Sequence, residues 1–206
     1  MITSTPTFGS DVDDPDTDVP DPIALMKLWL PPNTSELRPL MTLATHGGDG
    51  YPDARNVLAS AVDDSGLHFH TDAKTRKAQE LAADPRACAV LVWPDVGRQL
   101  VLAGDVTPEP PDAAAAVYAV RGAYLRTLAW VNSDETAQLP LPERRRVWAE
   151  HLHANPDETL QPPPGWIGFV LRPHRLTFWR GDPDGPSNRV EYRRVDGGWD
   201  VRRLAG

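Results

Sequence analysis

The sequence predicts a mainly β protein, a small antiparallel barrel with helices at its periphery. From residue 40 onward, short apolar runs of strand length alternate with turn sequences rich in Gly, Asp and Pro. Only three segments after that point have helical spacing, and the chain returns to strand patterns after residue 166. Many short strands with few long helices are typical of a closed or partly closed antiparallel sheet.

The first residues of the chain differ from the rest in composition. Residues 1–22 are rich in Asp, Pro and Thr and hold few large apolar side chains, so they cannot offset the entropy cost of ordering. We therefore expect a disordered acidic tail over 1–22, followed by one domain over 23–206. Within that domain, residues 23–30 have the pattern of a short amphipathic helix that ends at Pro31-Pro32.

The next elements follow from apolar runs and the turns between them. Strands are predicted over 41–45, 51–62 and 67–71, and a helix over 74–83 ends at Asp84-Pro85. Two more strands flank the turn at Pro94–Gly97, and two helical segments come after them. The remaining predictions are strands over 87–93 and 99–106, helices over 111–129 and 142–153, and strands over 166–179, 189–195 and 199–204.

Composition excludes several classes of protein. The chain has 206 residues and one Cys, so it is not a disulfide-built scaffold. The net charge is −8, and six Asp within residues 1–21 account for most of it. An acidic chain argues against sequence-independent nucleic-acid binding, and no apolar run reaches the length of a membrane span. We expect a cytoplasmic protein with neither nucleic acid nor membrane as a partner.

Two histidine pairs and one cationic helix start are the local motifs. His68 and His70 alternate on one strand, and His151 and His153 stand two apart, but nothing completes either pair as a zinc site, so structural histidines are favoured over metal ligands. The helix starting near Thr75 carries Arg76 and Lys77 in its first turn, where its N–H groups and dipole attract an anion. Solvated charges explain that pattern equally well.

Taken together, the motifs resemble the pyridoxamine 5′-phosphate oxidase family, including its phenazine-biosynthesis relatives. The resemblance covers residues 23–206 and includes that family's C-terminal dimerisation segment at 166–206. It rests on Met41–Thr45, Arg55-x-Val57-Leu58, Gly66-Leu67-x-Phe69-x-Thr71, Arg76-Lys77, Leu81-Ala82-x-x-Pro85, Trp93, Arg98-Gln99, Ala129-Trp130, Trp166–Phe169, Phe178-Trp179-x-Gly181, Arg189-x-x-Tyr192 and Asp196–Trp199.

This resemblance implies an FMN-binding split β-barrel, six-stranded, antiparallel and of Greek-key type, and a homodimer with FMN at the subunit interface. Arg55 and Lys77, joined by Arg76, correspond to phosphate-binding residues. The other implied cofactor-binding residues are the backbone of Asn56, Val57 and Leu58, the pair His70-Thr71 along the flavin, and Gln99, Trp179 and Arg189 at the ring system.

The substrate pocket departs from the family's pattern. Ser60 stands where the family has a Lys that binds substrate phosphate, whereas its Arg is retained as Arg121. Ser187, in Gly185-Pro186-Ser187, replaces the last residue of an Arg-x-His element. The three implied substrate-binding positions are therefore Ser60, Arg121 and Ser187, no metal is implied, and no catalytic base can be named.

Three functions fit these observations. The leading one is an FMN-dependent oxidoreductase that oxidises a small organic substrate other than pyridoxamine phosphate and passes the electrons to oxygen. The second is a pyridoxine/pyridoxamine 5′-phosphate oxidase of vitamin B6 salvage. The third is a non-catalytic protein that binds flavin or pyridoxal phosphate.

Overall fold

A computed structural model describes residues 21–35, 38–155 and 161–205 of the chain. The strands are β1 (Leu40–His46), β2 (Pro52–Leu58), β3 (Ala61–Asp63), β4 (Gly66–Asp72), β5 (Arg86–Trp93), β6 (Arg98–Pro108), β7 (Trp166–Arg180), β8 (Asn188–Val195) and β9 (Gly198–Arg203). The helices are α1 (Pro22–Trp29), α2 (Arg76–Ala83), α3 (Pro111–Ala119), α4 (Ala123–Val131), α5 (Asp134–Ala137) and α6 (Leu141–Ala154). None of these helices is long and apolar enough to cross a lipid bilayer.

The predicted acidic tail over 1–22 lies outside the described residues except for its last two. The Asp21 side chain accepts a hydrogen bond from the Ile23 N–H and caps α1, and Pro22 is the first residue of that helix. Helix α1 therefore begins at Pro22, one residue before the predicted helical segment.

All nine strands belong to one antiparallel sheet. Its order is β2-β1-β5-β6-β7-β4-β3, and the hairpin of β8 and β9 adds to β7. The sheet curls until β2, at one edge, comes into contact with β4 near the other. The mainly β split-barrel class is confirmed, but the sheet has more than the six strands expected. The excess consists of β3, which has three residues, and of the C-terminal hairpin.

The core lies inside the curl of the sheet. Residues that face each other across neighbouring strands point to the same side, and one such row of buried side chains crosses five strands: Leu43, Ala89, Leu102, Leu176 and Tyr192. Helix α1 packs against this interior, where Trp29 makes edge-to-face contacts with Trp93 and Phe178. Successive side chains of these strands alternate between this core and the outer face of the sheet.

Two predicted elements are interrupted in the structure. The strand predicted over 51–62 ends at Leu58 and resumes at Ala61, which leaves Ser60 in the break. The helix predicted over 111–129 divides into α3 and α4, with Arg121 between them and Gly122 as the N-cap of α4. Glycine is unfavourable inside a helix, which is the physical reason for a break at this point.

Candidate functional site

Side chains from β2, β4 and α2 form a cationic group at the start of α2. Lys77 Nζ donates to Thr71 Oγ1 at 3.1 Å, and Thr71 Oγ1 lies 3.1 Å from Thr75 Oγ1. Thr75, the N-cap residue, makes no side-chain hydrogen bond to the helix backbone, and no acidic residue lies in the first turn. The structure therefore brings predicted phosphate-binding residues to a helix end that favours anions.

Arg55 reaches the same place from β2. Its guanidinium contacts the Thr45 hydroxyl, and its Nη2 lies 2.6 Å from Glu80 Oε2 and 3.0 Å from Asp53 Oδ2. Glu80 is buried and also accepts from Thr45 Oγ1 at 2.6 Å, so it fixes the direction of the Arg55 side chain. The Asp53 carboxylate also lies 2.8 Å from Nε of the exposed Arg76.

The electrostatics of this group fit a phosphate. Burial lowers the pKa of Lys77, and the positive charge of Arg55 lowers it further, although the carboxylates of Glu80 and Asp72 act in the opposite direction. A phosphate between the two cations reverses that unfavourable interaction, because it supplies negative charge and acceptor oxygens. The residues present therefore fit the phosphate of FMN.

The backbone beside this group is also accessible to a ligand. Among the described strands, β2 pairs with β1 alone, so part of its backbone faces away from any ladder partner. The Asn56 side chain is exposed and accepts from Thr42 Oγ1, whereas Val57 packs against the core and Leu58 is half-buried. The flavin contacts of residues 56–58 stay a prediction.

Three other predicted cofactor residues form a second group. Gln99 on β6 faces Trp179 on β7, and Trp179 faces Arg189 on β8, so the three side chains stand in one row across the sheet. All three are half-buried, and Arg189 Nε is buried without a hydrogen-bond partner. A buried guanidinium N–H without an acceptor is costly and is explained by a ligand or partner chain that supplies one.

The two groups lie on opposite faces of the sheet. Gln99 alternates with the buried Arg98 and Leu100, which places it on the outer face, whereas Arg55 faces Leu43 of the core. One chain therefore does not present both groups to one flavin. A second copy of the chain can supply the missing half.

A third group, the polar cluster, contains two of the three predicted substrate residues. We define it as Ser60, His68, His70, Glu109 and Arg121. Arg121 Nη2 donates to Ser60 Oγ at 3.0 Å, and Ser60 Oγ lies 3.0 Å from His70 Nδ1. The two interrupted elements described above are what bring Ser60 and Arg121 together.

Glu109 lies against both histidines of the polar cluster. His70 Nε2 lies 2.9 Å from Glu109 Oε2, and His68 Nδ1 contacts Glu109 Oε1. His68 Nε2 in turn lies 3.0 Å from Oδ1 of the exposed Asp63. Gly168 leaves room for this arrangement, because a Cβ there lies 2.0 Å from Glu109 Oε2. Nothing in the sequence pointed to Glu109, because it stands in a Pro-Glu-Pro-Pro segment whose pattern indicates only a turn.

The His70 side chain is buried within the polar cluster. The family resemblance implies that the pair His70-Thr71 lies along the flavin, and in the structure the His70 ring is completely buried and stacks on Trp166 with ring centroids 5.4 Å apart. Burial lowers the pKa of His70 to about 3, and the charges of Arg121 and His68 act in the same direction. The side chain therefore belongs to the polar cluster, and a flavin contact through this residue stays a prediction.

Ser187 is separate from the cluster in the described chain. It is half-buried in the loop between β7 and β8, and no hydrogen bond among the described residues joins it to Ser60 or Arg121. The second histidine pair lies on α6, where His151 packs against Trp130. Over the described ranges no group of three or more His, Cys, Asp and Glu side chains has the geometry to hold a metal ion.

Two family descriptions match most of the chain. Residues 34–154 match the family described as pyridoxamine 5′-phosphate oxidase, and residues 166–206 match the pyridoxine 5′-phosphate oxidase C-terminal dimerisation region. A pyridoxine/pyridoxamine 5′-phosphate oxidase of Pseudomonas paraeruginosa is 33% identical over 190 residues, which cover 90% of this chain and 88% of that protein. The corresponding protein of Cupriavidus necator is 35% identical over 199 residues and 92% of both chains.

Two solved structures are similar in fold. PhzG from Burkholderia lata, crystallised with tetrahydrophenazine-1-carboxylic acid, is 27% identical with a TM-score of 0.81 over 95% of this chain and 98% of its own. A pyridoxamine 5′-phosphate oxidase-related, FMN-binding protein from Nostoc punctiforme is 22% identical with a TM-score of 0.66 over 81% and 88%. The second likeness concerns the fold alone.

Proposed function

Because the chain belongs to the pyridoxamine 5′-phosphate oxidase family, we propose that it is an FMN-dependent oxidoreductase acting on a small organic substrate other than pyridoxamine phosphate. The observation that carries this proposal is the meeting of Arg55, Lys77 and Thr71 at the start of α2, with a buried carboxylate orienting the arginine. Such a group supplies the positive charge and the hydrogen-bond donors that bind a phosphate. Family membership supports the assignment of that phosphate to FMN.

In the proposed site, each group of residues has a distinct task. Arg55, Arg76 and Lys77 hold the FMN phosphate, and the backbone of β2 runs beside the flavin. Gln99, Trp179 and Arg189 contact the ring system from the partner copy, because they lie on the opposite face of the sheet. The match to a dimerisation region over 166–206 supports the homodimer that this arrangement needs.

FMN, when bound, supplies the redox chemistry by accepting a hydride equivalent and passing electrons to oxygen. This chain's own residues then orient the substrate and exclude water. Arg121 is the residue proposed to bind an anionic group of the substrate, and Ser60 and Trp166 fix its guanidinium. A changed pocket supports a substrate other than pyridoxamine phosphate, and PhzG, with its tricyclic carboxylic acid, is a relative of this fold with a different ligand.

The first experiment tests the flavin. Protein purified from cells, or mixed with FMN and desalted, is expected to show the visible spectrum of a bound flavin at about one per chain. Riboflavin, which lacks the phosphate, is expected to bind much more weakly. A colourless protein that takes up no added FMN contradicts the proposal.

A second candidate function is pyridoxine/pyridoxamine 5′-phosphate oxidase itself, which the names of the curated relatives favour. It is tested by incubating FMN-loaded protein with pyridoxine 5′-phosphate or pyridoxamine 5′-phosphate and following oxygen consumption and pyridoxal phosphate formation. Turnover supports this function over our leading proposal. A flavin that stays oxidised with every amine, alcohol and reductant tested instead supports a non-catalytic binding protein.

A further inference from the structure

Arg121 is a cation with no anionic partner among the described residues. Its Nη2 donates to Ser60 Oγ, its Cζ lies 4.5 Å from the centre of the Trp166 ring, and no carboxylate in the described ranges forms an ion pair with it. Burial lowers the pKa of Arg121 to about 10, so the side chain is still charged at neutral pH. A partly desolvated guanidinium of this kind gains most from an anionic ligand.

The guanidinium is fixed in one orientation. Trp166 supports its face, and Trp166 is itself held by a 2.8 Å hydrogen bond from Nε1 to the Ala114 carbonyl oxygen. Ser60 occupies one edge of the guanidinium. The other edge of the planar fork makes no hydrogen bond to the described residues, and such an edge matches the two oxygens of a carboxylate with parallel hydrogen bonds.

The charge around Arg121 favours a single negative charge over two. The group proposed to hold the FMN phosphate has three cations, Arg55, Arg76 and Lys77, beside the carboxylates of Asp53 and Glu80. The polar cluster has one arginine, Arg121, and two histidines, His68 and His70. Because burial keeps His70 neutral, it adds no positive charge. Glu109, with its side chain 5% exposed, places a carboxylate directly behind His70. A dianionic phosphate ester therefore meets less compensation here than a monoanion does.

Resting on the proposed function, we propose that Arg121 binds the carboxylate of an organic monocarboxylate substrate, and that Glu109 disfavours phosphate esters at the same position. Ser60 Oγ accepts from Arg121, which leaves the Ser60 hydroxyl to donate to Nδ1 of the neutral His70, and His70 Nε2 lies 2.9 Å from Glu109 Oε2. Arg121 contacts the ligand in this proposal, and Ser60, His70 and Glu109 are positioning residues.

The test uses two probes that share a ring and differ in the anionic group, benzoate and phenyl phosphate. They are titrated into FMN-loaded, ¹⁵N-labelled protein at pH 8, where the phosphate ester is dianionic, and the indole N–H signal of Trp166 is followed by NMR. Benzoate is expected to bind about tenfold more tightly than phenyl phosphate. Tighter binding of phenyl phosphate, or no response to either probe, overturns the proposal.

Variants test whether benzoate binds at the polar cluster. Arg121→Ala is expected to weaken benzoate binding about tenfold or more, and Arg121→Lys to restore only part of it, because lysine keeps the charge but not the fork. Arg146→Ala, an exposed arginine on α6, is the matched control and is expected to bind benzoate as the unaltered protein does. Equal benzoate affinity in Arg121→Ala and Arg146→Ala contradicts the proposal.

Glu109→Gln tests the preference for benzoate over phenyl phosphate separately from the affinity for benzoate. This variant is expected to bind phenyl phosphate several-fold more tightly than the unaltered protein, with benzoate binding little changed, and an unchanged ratio contradicts the role of Glu109. Circular dichroism confirms that each variant is folded. Failure to take up FMN overturns the proposed function, whereas FMN-loaded protein that prefers phenyl phosphate overturns this inference alone.

Discussion

At the scale of single residues, charge compensation separates the two anion sites proposed for this protein. The positive charge of Arg55 lowers the pKa of Lys77, and the carboxylate of Glu80 offsets part of that effect. Arg121 has no carboxylate ion pair among the described residues, and its guanidinium contacts a hydroxyl group and an aromatic face. In our proposals, arginine therefore helps to bind a dianion in one place and binds a monoanion in the other.

Replacing Lys77 is expected to weaken FMN binding through the phosphate. A charged hydrogen bond contributes about 1.5–3 kcal/mol, so Lys77→Ala should raise the dissociation constant of FMN roughly 10- to 150-fold. Titration of flavin fluorescence measures this change. Riboflavin binding should be nearly unaffected, and Lys74→Ala, which removes an exposed lysine three residues away, is the matched control. Equal losses in the two variants contradict a phosphate contact by Lys77.

Neutral, buried His70 makes stability depend on pH. Its pKa is about 3 in the folded protein and near 6.5 in the unfolded chain, so between these values only the unfolded chain binds the proton. The stability contribution is fully present above pH 6.5 and is lost as the pH falls toward 3, by about 1.4 kcal/mol per pH unit.

His70→Gln is therefore expected to have a flatter dependence of the unfolding free energy on pH between about 6 and 4, measured by urea denaturation at each pH. His153→Gln, which alters an exposed histidine on α6, should follow the unaltered protein. Parallel curves for the unaltered protein and His70→Gln show that His70 does not titrate as stated.

At the scale of elements, interruptions shape the site and the sheet. Breaks at Ser60 and Arg121 place two predicted substrate-binding side chains in contact, and a bulge keeps β6 and β7 paired through an internal proline. The register shifts between Ala103 and Gly104, where Gly104 faces Pro173. Proline has no N–H for the ladder and is tolerated in a strand at such an irregularity.

Gly104 is expected to tolerate no side chain. A Cβ at this position lies 2.0 Å from the Arg172 carbonyl oxygen and 2.8 Å from Pro173 Cα, both backbone atoms of the paired strand. Gly104→Ala should lower the free energy of unfolding by about 3 kcal/mol or more. Gly48→Ala, where no atom lies within 4 Å, should change it by less than about 0.5 kcal/mol. Denaturant unfolding of both variants measures these changes in the free energy of unfolding.

At the scale of the whole molecule, the sheet separates the two halves of the proposed FMN site. Arg55 projects to the core side of the curled sheet at its β2 edge, and the row of Gln99, Trp179 and Arg189 lies on the outside. Two copies related by a two-fold axis supply both halves at each of two sites. In this arrangement FMN binding depends on dimerisation, because each site needs residues of both copies.

This arrangement predicts complementation between two defective variants. Lys77→Ala and Arg189→Ala each remove one half of the site, so each variant alone is expected to bind FMN poorly. In a mixed dimer one site receives two intact halves, and random mixing by co-expression should restore about a quarter of the sites. Flavin content per chain measures the recovery. A mixture that binds no more FMN than its separate parents shows that each site lies within one chain.

Much of the fold followed from local pattern alone. The apolar alternation located the longer strands, and Pro and Gly marked most ends, because strand periodicity and turn chemistry act over a few neighbouring residues. The same pattern did not locate the breaks at residues 59–60 and 120–122. The break at residues 59–60 depends on distant groups, namely the Pro39 carbonyl that accepts from Ala59 N and the His68 carbonyl that accepts from Ser60 N.

The sequence by itself determined the family, the cationic residues at α2 and, through the family resemblance, Ser60 and Arg121 as candidate substrate residues, since these follow from residue type and order. Tertiary structure alone decided that Ser60 contacts Arg121, that Glu109 stands behind His70, that His70 is buried and neutral, and that the proposed flavin residues divide between two faces of the sheet. The reason is physical: burial, charge compensation and facing direction arise from residues far apart in the chain, and only the closed fold brings them within a few ångströms of each other.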